Sequence, residues 1–130
     1  MDRSAPLPDG TILSGGQYTI TGHLGAGGFG QTYIGTSSLG QDVVIKECFP
    51  LHLGPRRGPD NRVLIPQATP AQDFDIFIKL FVREARLLAQ LSHPNIIGVN
   101  TAFEENGTAY MVMDRVFGRD LDTVLRTEHA

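Results

Sequence analysis

Three features of this sequence have the residue types and spacing to do chemistry: the run Gly25-Ala26-Gly27-Gly28-Phe29-Gly30, Lys46 and Glu84. Gly25, Gly27 and Gly30 form G-x-G-x-x-G, a backbone that can approach a phosphate closely because no Cβ stands in the way. Lys46 would supply a fixed positive charge to such a phosphate. A partly buried ammonium needs a carboxylate to keep it charged and aimed, and Glu84 is the candidate. Each residue also has a plainer reading. Lys46 could lie along an apolar rim with its ammonium in water, and Glu84 could pair with Lys79, Arg83 or Arg86 on its own helix.

The elements around the glycines decide which phosphate site they build. In a dinucleotide-binding unit the glycines open a helix, and Glu47 stands about where the ribose acid of that unit would be. But "QTYIGTSSLGQ" after the glycines is β-branched, glycine-rich and without a 3.6 period, so the required helix is missing. A P-loop fails because no Gly-Lys-Ser/Thr follows. What remains is a flap between antiparallel strands. "QYTITGHL" (17–24) and "QTYIG" (31–35) both alternate apolar and polar residues, "SSLGQD" (37–42) reads as a turn, and "VVIKEC" (43–48) as a third strand. Alternation places Val44, Lys46 and Cys48 on one face.

Residues 49–68 carry four prolines, two glycines and three arginines, which predicts an irregular surface excursion. Arg56-Arg57 could bind an anion, but a solvated basic loop is the favoured reading. "TPAQDFDIFIKLFVREARLLAQLS" (69–92) is the strongest helix, with Thr69, Pro70 and Gln72 matching a capping box with proline in the first turn. Phe74, Phe77, Ile78, Phe81, Ala85, Leu88 and Leu91 form one apolar face that must lie on the sheet. "HPNI" (93–96) ends the helix. Two further strands flank Asn106-Gly107, a hairpin signal, and "RDLDTVLRTEHA" reads as a short terminal helix. Residues 1–16, rich in Pro, Gly and Ser, read as a flexible lead-in.

Composition narrows the function. The chain has 130 residues and a net charge of -3, which fits one domain and offers no basic field for a nucleic acid. No apolar run is long enough to span a bilayer. One cysteine, Cys48, cannot close an internal disulfide, so a reducing, cytoplasmic setting is expected. Cys48 could be a redox thiol, but an inert half-buried cysteine is the favoured reading. His23, His52, His93 and His129 are scattered and suggest no metal site.

With "LGAGGFGQTY", "VVIKE", "REARLLAQLSHPNII" and "YMVMDRVFGRDL" in this order and spacing, residues 17–125 resemble the N-terminal lobe of protein kinases. "IKECFP" and the excursion after it look most like bacterial eukaryotic-like serine/threonine kinases. The resemblance implies an α+β fold: a five-stranded antiparallel sheet with one long helix, αC in that family, and no C-lobe. It divides the chain into a lead-in (1–16), the ATP-binding lobe (17–118), and a hinge exit with the start of a further helix (119–130).

The same resemblance assigns roles. Leu24 and Thr32 would border adenine, with Val44 on the adenine side, and Gly25, Ala26, Gly27, Gly28, Phe29 and Gly30 would cover the phosphates with Phe29 at the tip. Lys46 would contact the α and β phosphates, with Glu84 as its ion-pair partner. Met113 would be the gatekeeper, the backbone of Asp114 and Val116 would hold adenine, and Asp120 would meet the ribose. Val44 stands where the family usually has alanine, and Thr32 where valine is common. The family's H-R-D-x-x-x-x-N and D-F-G motifs do not occur. The expectation is therefore a nucleotide roof that uses ATP, with magnesium only where a C-lobe supplies its ligands, and no catalysis by this chain alone. Protein serine/threonine substrates are implied for a full-length enzyme. The alternative is a free-standing half-kinase or pseudokinase that binds a protein partner at its open face or self-associates through Leu121, Val124 and Leu125.

Overall fold

The computed structural model describes residues 5–90 and 98–115. Six strands form one antiparallel sheet. They are β1 (Ile12–Leu13), β2 (Tyr18–Ala26), β3 (Gly30–Ser37), β4 (Asp42–Cys48), β7 (Val99–Glu105) and β8 (Thr108–Asp114), in the order β1-β2-β3-β4-β8-β7. β5 (Arg56–Arg57) and β6 (Val63–Leu64) make a separate small hairpin inside the excursion. Among the described residues one long helix, α1 (Ala71–Ala89), lies between this hairpin and β7 in sequence.

Alternation along β4 sorts the core onto two faces. Val43 and Ile45 join Leu7, Leu13, Ile20, Tyr33, Tyr110 and Val112 in one buried cluster. Val44 and Cys48 join Phe81 and Ala85 of α1, with Val99, Ala109, Met111 and Met113, in the other. The second cluster is the helix-covered face, as the 3.6-residue apolar period required. Phe81 and Ala85 are buried there, Phe77, Ile78 and Leu88 are partly buried, Phe74 is buried instead against Phe49 and Val63, and Leu91 lies outside the described residues.

The Asn106-Gly107 hairpin forms as expected, with φ of 55° and 73° at its two central residues. Positive φ at both matches the strand twist, and asparagine and glycine tolerate it best.

The structure differs from the sequence reading in three places. The five anticipated strands are joined by a sixth, β1, which pairs with β2. It comes from the lead-in, whose Leu7 and Leu13 are buried. Isolated apolar residues among prolines and glycines carry no period, so their burial was invisible locally. The helix starts at Ala71 without a side-chain cap, because the Thr69 hydroxyl donates instead to the carbonyl of Leu53 at 3.1 Å. Finally, Arg57 is not a solvated loop residue, since its side chain is 9% exposed and pairs with Glu47. The terminal helix read over 119–130, and the apolar trio Leu121, Val124 and Leu125 within it, lie outside the described residues.

Candidate nucleotide site

β2 and β3 meet in a tight flap. Gly27 N–H donates to the Gly30 carbonyl at 2.8 Å and Gly30 N–H returns to Gly27 at 3.2 Å, which leaves Gly28 and Phe29 at the tip. Gly28 has open space where a Cβ would stand. Gly30 does not: with φ 147°, its Cβ would lie 2.2 Å from the Glu47 carbonyl oxygen and 2.3 Å from Phe49 N. One of the motif glycines is thus required by the chain's own β4 rather than by any ligand. The flap is also tied down at its tip, where Phe49 N–H donates to the Phe29 carbonyl at 3.0 Å.

Beneath the flap, register brings Thr32, Lys46 and Met111 into one row across β3, β4 and β8, with Ile34, Val44 and Met113 in a neighbouring row. Lys46 is buried, 6% exposed, in the middle strand. Its ammonium lies 5.0 Å from the centre of the Phe29 ring, a favourable cation–π distance. The same ring stacks on Phe81 of α1 at 6.4 Å. A cavity of about 320 Å³ opens here, lined by Gly28, Phe29, Lys46, Phe81, Glu84, Leu88 and Met111.

Lys46 and Glu84, 38 positions apart in sequence, therefore reach one cavity from the sheet and from the helix. Glu84 is itself exposed, as suits a carboxylate at the mouth. Val44 and Met113 are buried on the same face, and Leu24 is half exposed. Asp114 ends β8 in solvent, where one of its carboxylate oxygens accepts a hydrogen bond from the Asn100 amide at 2.8 Å. Val116 and Asp120 lie outside the described residues. Phe81, Leu88 and Met111 line the cavity without having been singled out as site residues. The signal was present, since Met111 and Met113 alternate onto the face of Lys46, and Phe81 and Leu88 flank Glu84 on α1.

Cys48 is buried on this face, and burial pushes its thiol from 9.0 up to about 12. A neutral, enclosed thiol is a poor nucleophile, which agrees with the inert reading. Among the described residues no group of three or more His, Cys, Asp or Glu side chains could hold a metal ion. No helix among them is long and apolar enough to cross a membrane.

Comparison with known proteins agrees with this geometry. The family described as "Protein tyrosine and serine/threonine kinase" matches residues 18–130. "Probable serine/threonine-protein kinase PknB" of Bifidobacterium longum is 30% identical over 130 residues, covering 92% of this chain and 16% of that protein. "Tyrosine-protein kinase MasK" of Myxococcus xanthus is 30% identical over 115 residues, covering 85% of this chain and 15% of that protein. The solved structure "PpkA-294 apo form" is 31% identical with a TM-score of 0.76, covering 95% of this chain and 43% of the other. The chain thus spans less than a fifth of these two curated relatives.

Proposed function

The chain belongs to the protein tyrosine and serine/threonine kinase family, and on that premise we propose that it is the nucleotide-binding roof of an enzyme that transfers a phosphoryl group from ATP to protein serine or threonine. The observation that carries this reading is the buried Lys46 ammonium under the Gly27–Gly30 turn, facing a cavity that Glu84 lines from the helix. Kinase chemistry is mostly positioning and charge neutralisation around the transferred group.

Lys46 binds the α and β phosphates, Glu84 pairs with it, and the backbone of the flap lies over them. Phosphate oxygens take the place of the Phe29 ring beside the ammonium, because a full negative charge attracts it more strongly than a ring quadrupole. Thr32, Val44 and Leu24 border adenine. Met113 guards its inner edge, and the backbone of Asp114 and Val116 holds its polar edge, with Asp120 at the ribose. Magnesium, when bound, neutralises phosphate charge. The described residues form no cage for it, and the family's metal-holding motif is missing from the sequence, so it enters with a C-lobe. These 130 residues by themselves bind nucleotide without turning it over.

Fluorescent mant-ATP should bind the chain, and Lys46→Met should weaken that binding by at least about tenfold, the loss of one charged phosphate contact. Equal binding by both proteins would sink the reading. Peptide phosphorylation by this chain alone, lost in Lys46→Ala, would overturn its catalytic incompleteness. The names of PknB and MasK point to different acceptors, so peptides carrying only serine, threonine or tyrosine separate these in the full-length enzyme.

A regulatory, protein-binding role is the second reading. It is favoured by Ile76, Leu80 and Leu87, which stand exposed on α1. A Leu80→Asp variant with unchanged association behaviour in gel filtration and lysate capture would count against it.

A further inference from the structure

β4 delivers two opposite charges in succession, and alternation sends them to opposite faces of the sheet. Lys46 reaches the cavity; Glu47 enters the other side and is fully buried. There Glu47 Oε1 accepts hydrogen bonds from the Tyr33 hydroxyl at 2.9 Å and from Arg57 Nη2 at 2.6 Å. Its Oε2 accepts from Arg57 Nη1 at 2.9 Å and from the Tyr110 hydroxyl at 2.5 Å. These four bonds use the acceptor sites of both oxygens. Arg57 in turn donates Nε to the Ala5 carbonyl at 3.1 Å and Nη1 to the Asn61 carbonyl at 3.0 Å. Tyr33 accepts from Leu7 N–H at 2.9 Å, and Tyr110 from the Asn106 amide at 3.0 Å. One carboxylate therefore ties together the lead-in, β3, β4, the β5–β6 hairpin and the β7–β8 turn.

We propose that Glu47 and Arg57 are positioning residues for Lys46, holding the Lys46–Glu47 peptide so that the ammonium is aimed beneath the flap. This inference deepens the nucleotide-roof reading and rests on it. Two arguments carry it. The first is register. A one-residue slip of β4 would exchange the faces of Lys46 and Glu47, and the outer site rejects a lysine because Arg57 would then face a second cation. The second is connectivity. The Arg57 guanidinium lies 4.8 Å over the Phe49 ring, and Phe49 N–H holds the flap tip through the Phe29 carbonyl. The clamp thus reaches both halves of the phosphate cradle, the lysine through its own peptide and the flap through Phe49. A buried ion pair is weak evidence for stability, since apolar residues of equal volume serve as well or better. Fixing one register is the role that suits it.

The sequence supplies its own probe, because it contains two lysines and the other, Lys79, is exposed. In the full chain, acetylation by an N-hydroxysuccinimide ester across a pH series, read at each lysine by peptide mass spectrometry, reports how Lys46 is held. Arg57→Lys and Glu47→Gln are expected to bring Lys46 labelling toward the rate and pH profile of Lys79, and to weaken mant-ATP binding about tenfold, the scale of a misplaced charged group. Ile20→Val, in the apolar cluster of the same outer face, is the control for lost stability alone. Where a charge variant does not fold, Tyr110→Phe removes one of the four bonds and is expected to give the same change at about threefold. If these variants label and bind as Ile20→Val does at an equal loss of thermal midpoint, the pair is merely structural and the proposal falls. If the labelling shifts while wild-type chain binds no mant-ATP, the clamp stands and the nucleotide reading fails.

Discussion

Lys46 and Glu47 are neighbours in one strand, yet the two sides of the sheet treat them in opposite ways. On the Glu47 side the charge is sealed: four hydrogen bonds, two of them from a guanidinium, and no exposure. Burial alone would lower the Arg57 pKa, but the hydrogen bonds and charge of Glu47 outweigh it and raise the guanidinium above its ordinary value. On the Lys46 side the charge faces a cavity, an aromatic ring and an exposed carboxylate. A closed network resists change because every member is matched. On the other face the ammonium lines a cavity of about 320 Å³. The difference separates the face of β4 that is enclosed from the face that lines a cavity.

The largest effect should come from breaking the sealed side. Glu47→Ala strands the Arg57 guanidinium in the interior and should cost about 3–5 kcal/mol, against less than about 1 kcal/mol for Lys46→Met, whose long stem is replaced by an apolar one of similar size. Urea unfolding of the two variants measures both, and equal losses would erase the contrast between the faces. Next comes Gly30→Ala, where flap and β4 touch. Its methyl would collide with the Glu47 carbonyl at a φ that alanine rarely adopts, so a loss of about 2–3 kcal/mol is expected. An unchanged midpoint would show that the flap gives way freely.

Alkaline pH should act on the sealed side as well. Burial, reinforced by the Glu47 charge, raises the Tyr33 and Tyr110 hydroxyls above their ordinary 10.0, and Cys48 moves from 9.0 to about 12. In each case the unfolded chain releases its proton first, so it binds fewer protons than the native state and stability falls as pH rises. The Cys48 contribution is whole below pH 9 and is lost progressively toward 12, at about 1.4 kcal/mol per pH unit once the unfolded thiol is ionised. The tyrosines add the same slope above pH 10. A thermal midpoint flat from pH 8.5 to 11 would contradict the burial of these groups. At the open side Phe29→Ala is expected to cost only about 1 kcal/mol for a half-buried ring. Faster acetylation of Lys46 should accompany it, and no change in that rate would show that the ring does not shield the ammonium.

Legibility in the sequence followed the range of the interactions. The strand alternation around Lys46, the apolar period of α1 and the Asn106-Gly107 turn are set by residues a few positions apart, and the structure contains all three. The capping box at Thr69 failed because its hydroxyl had a competing acceptor, Leu53, sixteen residues earlier. Leu7 and Leu13 looked like part of a loose lead-in because nothing near them is periodic, and only the opposite strands bury them. Glu47 entered the sequence reading only as a ribose acid in a fold that was rejected. Its partners lie 10, 14 and 63 residues away. A glutamate at an inward position of an apolar strand was the available signal, for such a carboxylate must find a partner, and Arg56 and Arg57 were the nearest arginines beyond the strand.

By itself the sequence determined the periodicities of this protein, and with them the faces onto which its charges fall, because backbone geometry turns spacing into direction without outside help. Which side of the sheet became sealed and which stayed open was decided by tertiary structure alone. A buried charge is stable only where donors from distant segments converge, and convergence depends on the path of the whole chain.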